Sequence, residues 1–292
     1  MAAFTIKDLE NLSGIKAHTI RVWEQRYSFL TPQRTETNIR YYSNDELQKL
    51  LNVALLNKYG YKISHIDRMP VAEMNDKILA LPQVQAQQER IVNQLIRCMA
   101  NVQIEEFETI LDDYIKSKGI EKAIIQILFP FLERIGILWL TDHINPAQEH
   151  LVSNLIRQKL IVGIDNVKTN PNSQTTILLF LPEGEHHEMG LLFVHFLFKS
   201  KGIHVLYLGA NVPLKDVASV VSLKNPKLLY THLTSCSQNF NFEKFLINAH
   251  NRMPDKNIIV SGLLTQGYKK KIPANFSFKN SLAEVMDYIS TL

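Results

Sequence analysis

The run Glu185-His186-His187-Glu188-Met189-Gly190 sets an imidazole, His187, between a carboxylate two residues before it and a glycine three residues after it. It directly follows the strand-forming stretch Thr175 to Leu181. A neutral imidazole nitrogen is a good transition-metal ligand, and a metal-bound histidine gives its other ring N–H to a carboxylate, which fixes tautomer and basicity. His187 is therefore a candidate ligand, and Glu185 the candidate carboxylate behind it.

The elements around this run place it where ligands bind. From about residue 174 onward, the apolar runs Ile177–Phe180, His204–Leu208, Lys227–Tyr230 and Ile258–Val260 read as buried strands. Helix-length segments at about 188–200, 213–223 and 241–252 lie between them. Such alternation predicts a parallel sheet with helices on both faces, and ligands of these sheets bind outside the carboxyl ends of the strands. The histidine run follows the first strand, at such an end.

Upstream, residues 72 to about 166 show helical periodicity and almost no strand signal. They predict a bundle of four helices near 76–98, 103–117, 120–138 and 145–165, with Trp139, Glu149 and His150 as its chemically unusual residues. Residues 4 to about 68 combine short helices with polar turns and a small excess of Lys and Arg. A helix over Ile6–Leu12, a Ser13-Gly14 turn and a second helix over Ala17–Arg26 predict a helix-turn-helix. Ile20 and Trp23 then lie inside, and His18, Thr19, Arg21 and Arg26 are available outside. Phe29 to Tyr42, with Arg34, Asn38, Arg40, Tyr41 and Tyr42, suits a wing lying on phosphates; of the adjacent Tyr41 and Tyr42, one faces inward and one outward.

The residues Thr5–Leu9, Thr19–Glu24 and Asn38–Tyr42 resemble the winged helix-turn-helix of the MerR family over about the first 70 residues, which implies a regulator of promoter DNA. Trp139 with Ala147-Gln148-Glu149-His150 resembles the cobalamin-capping bundle of the CarH and LitR photoreceptors, a branch of that family. There the tryptophan packs over the adenosyl group, the glutamate contacts it, and the histidine takes the upper face of cobalt once light has removed adenosyl. The third zone resembles the Rossmann-like cobalamin module of the same proteins and of corrinoid enzymes, whose signature is D-x-H-x-x-G, S-x-L and a Gly-Gly pair. It matches at Glu185, His187 and Gly190, at Thr231 and Leu233, and at Ser261 and Gly262. The resemblance makes His187 the lower cobalt ligand and gives the other two motifs the nucleotide tail. Glu185 replaces aspartate, Thr231 serine and Ser261 the first glycine.

The expected architecture is multi-domain α and α/β. It comprises a winged helix-turn-helix (1–70), a four-helix-bundle cobalamin cap (71–168) and a Rossmann-like, flavodoxin-like parallel sheet (174–292). The resemblances imply a DNA-binding regulator, a repressor by type, that senses light or cobalamin through bound adenosylcobalamin without catalytic turnover. Its partners would be promoter DNA, cobalamin and further copies of itself, as a dimer or tetramer. A corrinoid-carrying methyltransferase-type module shares the sheet but has no use for the N-terminal reader. A MerR-type regulator with a relic cobalamin module is the other alternative.

The whole-chain properties agree with this reading. The 292 residues are 46% hydrophobic and 21% charged, with a formal charge of +4 that permits nucleic-acid binding. Cys98 and Cys236 form no zinc spacing and read as buried thiols of a reducing compartment. No signal peptide and no run of ~20 apolar residues is evident, so the expected location is cytoplasmic, with no membrane contact.

Overall fold

A computed structural model describes residues 4–81, 84–139, 146–168, 175–234 and 240–292; the side chains of 136–139 lie outside the description. The chain packs as two units, Met1–Ile156 and Arg157–Leu292.

In the first unit, α1 (Ile6–Ser13) starts at a capping box in which Thr5 and Asp8 satisfy each other's backbone N–H groups, and it ends at Gly14 in the left-handed region. Helix α2 (Ala17–Arg26) buries Ile20 and Trp23, and the Trp23 ring meets Phe29 edge-on at 5.9 Å. The wing is a short antiparallel pair, β1 (Gln33–Arg34) and β2 (Arg40–Tyr41). A second capping box, Ser43 with Glu46, opens α3 (Asn44–Lys58), and a short α4 (Ile63–Ile66) follows. The wing is tied to the start of the chain by reciprocal backbone bonds between Phe4 and Tyr42 at 2.9 and 2.8 Å.

The helical region departs from expectation at its first element. The single helix expected near 76–98 is two, α5 (Val71–Leu79) and α6 (Val84–Ala100). The reason is local, because Pro82 has no N–H to donate and restricts the residue before it. Helix α7 (Ile104–Lys118) packs on α6. After Gly119 the chain runs as α8 (Ile120–Ala123), a π turn over Ile124–Leu128 and α9 (Phe129–Trp139). Pro130 explains the π turn: it cannot join the regular ladder, and the neighbouring Phe129 N–H reaches back to Ile124 O instead. Phe107 and Phe131 meet edge-on at 5.4 Å in the bundle core, among Leu95, Leu111, Ile127 and Val152. Cys98 is buried there, which raises its thiol pKa; Cys236 lies outside the described residues. Helix α10 (Pro146–Asn166) contributes to both units.

The second unit is a parallel sheet of β3 (Thr176–Pro182), β4 (His204–Val212), β5 (Leu228–His232), β6 (Asn257–Ser261) and β7 (Phe276–Lys279). Their order is β4-β3-β5-β6-β7, so the chain reverses direction across the sheet between β3 and β5. Helices α12 (Leu214–Lys224) and α13 (Phe242–Arg252) cover one face over Leu178, Phe180, Leu229 and Val260. The nearly all-apolar α11 (Glu188–Ser200) packs on the other face with α14 (Leu282–Ser290), where Phe198 meets Tyr230 edge-on at 6.0 Å. The strand β7 and helix α14 go beyond the four strands legible in the sequence.

Candidate cobalamin site and DNA reader

The reversal between β3 and β5 is a topological switch point, where two adjacent loops leave in opposite directions and open a crevice. Glu185 lies in the loop after β3 and is fully buried. Its Oε1 accepts from the backbone N–H groups of His186 and His187, each at 2.9 Å, and lies 2.6 Å from His187 Nδ1. Its Oε2 accepts from Thr234 N at 2.9 Å, across the switch point in the loop after β5. The extra methylene of glutamate therefore still delivers the carboxylate to the ring. With Nδ1–H given to Glu185, the lone pair is left on Nε2, the atom a metal would take. The His187 side chain is 46% exposed, open enough to meet a ligand. His186 is also exposed.

The second and third motifs converge on the same end of the sheet. Ser261 does not leave its hydroxyl loose in the crevice: Oγ lies 2.5 Å from Tyr230 OH and 2.7 Å from His232 Nδ1. Tyr230 is buried and must donate its proton. The chain therefore runs from Tyr230 O–H to Ser261 and from Ser261 O–H to His232 Nδ1, placing the His232 proton on Nε2. Gly190 makes room for this imidazole, since a Cβ there would stand 2.4 Å from His232 Cδ2. Gly262 is more constrained still, with φ +98° and a would-be Cβ 2.3 Å from Leu233 O. Thr231 is fully buried, and its Oγ1 has no hydrogen-bond partner among the described residues.

Burial holds His232 down to about 4, the nearby Glu185 charge offsetting this only in part. Between that value and the unfolded value of about 6.5 the unfolded chain binds a proton that the folded chain does not. Stability is then fully present above about pH 6.5 and is lost as pH falls toward 4. Urea unfolding of the full chain at pH 7 and pH 5 is expected to differ by about 2 kcal/mol from His232 alone. His232→Gln should remove that share, and an unchanged pH difference in the variant would refute it.

Among the described residues no three His, Cys, Asp or Glu side chains converge on a metal position. A bare ion would find a single good ligand in His187, whereas a cobalt corrinoid brings its own ring nitrogens and needs only one. The lone oriented imidazole, the orphaned Thr231 hydroxyl and the close backbone at Gly262 fit that group.

In the first unit, His18, Arg21 and Arg26 stand exposed on α2 and Thr19 is half-buried. Val22 and Gln25, which the sequence reading passed over, complete the His18-Arg21-Val22-Gln25 face at helical spacing. Arg34 at the exposed wing donates to Asn38 Oδ1 at 2.7 Å, with Asn38 at φ 64° closing the hairpin. Arg40 Nε lies 3.2 Å from Glu24 Oε2 and so is partly committed inside the protein, while Tyr41 is half-buried. Tyr42 is a correction to the DNA-contacting set: it is fully buried and its hydroxyl donates to Glu24. Burial and the Glu24 charge raise its phenol pKa. Trp139 ends α9 with its side chain outside the described residues. Glu149 and His150 open α10, where His150 Nδ1 lies 3.1 Å from Glu149 Oε2 and Ser153 donates to the same carboxylate.

Residues 4–70 match the family model of the MerR HTH family regulatory proteins. Residues 91–162 match the model of the B12 binding domain. Residues 4–70 are thus similar to a MerR-type DNA reader and residues 91–162 to a B12-binding domain. The chain is 28% identical over 281 residues to the HTH-type transcriptional repressor CarA of Myxococcus xanthus, covering 96% of this chain and 92% of that protein. It is 27% identical over 261 residues to the HTH-type transcriptional repressor CarH of the same organism, covering 86% and 85%. Its fold is also like that of the Methanosarcina barkeri monomethylamine corrinoid protein, with a TM-score of 0.55 at 13% identity, over 70% of this chain and all of that one. Among the described residues, no helix is long and apolar enough to cross a membrane.

Proposed function

We propose that this regulator is a cytoplasmic repressor that holds adenosylcobalamin, with His187 as the lower cobalt ligand, and whose hold on promoter DNA depends on light. The observation that supports it most is the buried Glu185 carboxylate orienting an accessible imidazole at the switch point of a parallel sheet. When bound, the cofactor supplies a cobalt–carbon bond that light can break. The protein's part is to fix His187 through Glu185, to offer the Thr231 hydroxyl to the nucleotide tail, and to keep Leu233, Ser261 and Gly262 close-packed beside it. By the resemblance to the cobalamin-capping bundle, Trp139, Glu149 and His150 would serve the adenosyl group, and His150 would be a second imidazole able to hold cobalt. The exposed face of α2 enters the major groove while Arg34 and the wing meet phosphates.

A dimer or tetramer would multiply the DNA contacts of one reader, so dissociation lowers occupancy without altering any reader. Binding and release carry the signal, and no residue is assigned to turnover. A corrinoid carrier would share the sheet but would leave residues 4–70 without a purpose.

The test pairs two measurements on the full chain. In darkness it should take up adenosylcobalamin and retard DNA enriched from a random pool; after green light, DNA affinity and particle size should both fall. Absence of uptake, or DNA binding indifferent to light, would remove the corresponding half of the reading. Thr231→Val separates ligand contact from packing. Removing an unpartnered buried hydroxyl should stabilise the cofactor-free protein by about 1 kcal/mol while weakening cobalamin binding. A melting temperature and an affinity that fall together would assign Thr231 to the fold instead.

A further inference from the structure

Glu188 directly follows His187 and opens α11, and its two carboxylate oxygens are gripped from different elements. Arg157, on α10, places Nη2 2.6 Å from Glu188 Oε2. Tyr207, on β4, donates its hydroxyl to Glu188 Oε1 at 3.1 Å. Tyr207 is fixed in turn, because its ring stacks on His195 of α11 with centroids 5.1 Å apart. Gly209 leaves the space for this arrangement; a Cβ there would lie 3.1 Å from Glu188 Oε1. The Glu188 side chain is 15% exposed, and a carboxylate in the first turn of a helix is further favoured by the helix dipole.

The consequence is geometric. Glu185 holds the His187 ring and the backbone on its N-terminal side. The Arg157–Glu188–Tyr207 cluster holds the backbone on the C-terminal side. We propose that Glu188, clamped by Arg157 and Tyr207, is a positioning residue that sets how far His187 stands from the metal it would ligate. This inference rests on the reading of His187 as the cobalt ligand.

The experiment uses the full chain loaded with cobalamin and reduced to the Co(II) state. There the nitrogen splitting of the electron paramagnetic resonance signal, compared between protein grown with ordinary and with 15N-labelled histidine, reports whether a histidine rather than the cofactor's own benzimidazole is bound. Glu188→Gln and Arg157→Ala should each raise the ratio of histidine-free to histidine-bound cobalt by about tenfold, as losses of a group supporting a metal ligand do. The double variant should go no further than Glu188→Gln, and Arg157→Lys should recover part of the loss. If Glu188→Gln fails to fold, Tyr207→Phe and Arg157→Lys remove or weaken single bonds and carry the same readout.

Unchanged splitting in the Arg157 and Glu188 variants would overturn the proposal, and strictly additive effects would overturn the role of Arg157 through Glu188. A wild-type signal whose nitrogen splitting is unaffected by the histidine label, or a His187→Ala signal that still responds to it, would instead remove the cobalt-ligand reading and this inference with it.

Discussion

His187→Ala is expected to lower cobalamin affinity by about 100-fold and to abolish histidine ligation of the cobalt. The metal then loses its protein ligand outright, so the loss is placed at the upper end of the roughly 10- to 100-fold typical of removing a supporting group. Glu185→Ala should come close to the same result by a different route. The imidazole would lose the partner of Nδ1, and the N–H groups of His186, His187 and Thr234 would lose their shared acceptor. His186→Ala is the control, since that side chain is exposed and outside the proposed site. Equilibrium dialysis in darkness measures all three. Equal affinity in His187→Ala and wild type would end the assignment, whereas a large effect at His186 would move it by one residue.

Gly262→Ala is expected to destabilise the second unit by about 3 kcal/mol or more. Two effects act together: φ of +98° disfavours any side chain, and the added Cβ would meet the backbone O, C and N of Leu233 at 2.3, 2.7 and 2.8 Å. Backbone atoms of a paired strand end cannot step aside as a flexible side chain can. Leu233 is also held there by its N–H bond to Ser261 O at 2.8 Å. The same substitution at Gly14, with φ of +72° but open space around it, should cost only about 1 kcal/mol. Urea unfolding of the full-length variants gives both numbers. Comparable losses at the two positions would show that the close approach to Leu233 is relieved by a shift of the chain.

The structure also changes what some residues can do at the two sites. Tyr42 looked available to phosphates in the sequence, yet its hydroxyl is spent on Glu24, and Arg40 is drawn toward the same carboxylate. The wing's exposed cation among these residues is Arg34. Ser261, a departure from the glycine of the resembling modules, is bound between Tyr230 and His232. His232 and Thr234 took part in no motif, and their contribution follows from strand pairing that brings β5 beside both β3 and β6.

Sequence alone determined the features that depend on near neighbours. Apolar spacing located α2, the bundle helices and the first four strands of the sheet, because periodicity reports which face of an element is buried. Residue types at short spacing located Glu185 and His187 at a strand end, whereas the split between α5 and α6 and the π turn over Ile124–Leu128 were not part of the expectation. Strand β7 escaped because Phe276–Lys279 is short and follows the polar Lys269–Ile272 stretch, so little alternation marks it. Only the tertiary structure decided which distant groups share a proton or a charge: Glu185 with Thr234, Ser261 with Tyr230 and His232, Glu188 with Arg157 and Tyr207, Glu24 with Tyr42. Hydrogen bonds act over about 3 Å, whereas these partners stand 18 to 49 residues apart along the chain. No local pattern encodes them, and they exist only once the sheet order and helix packing bring the elements together.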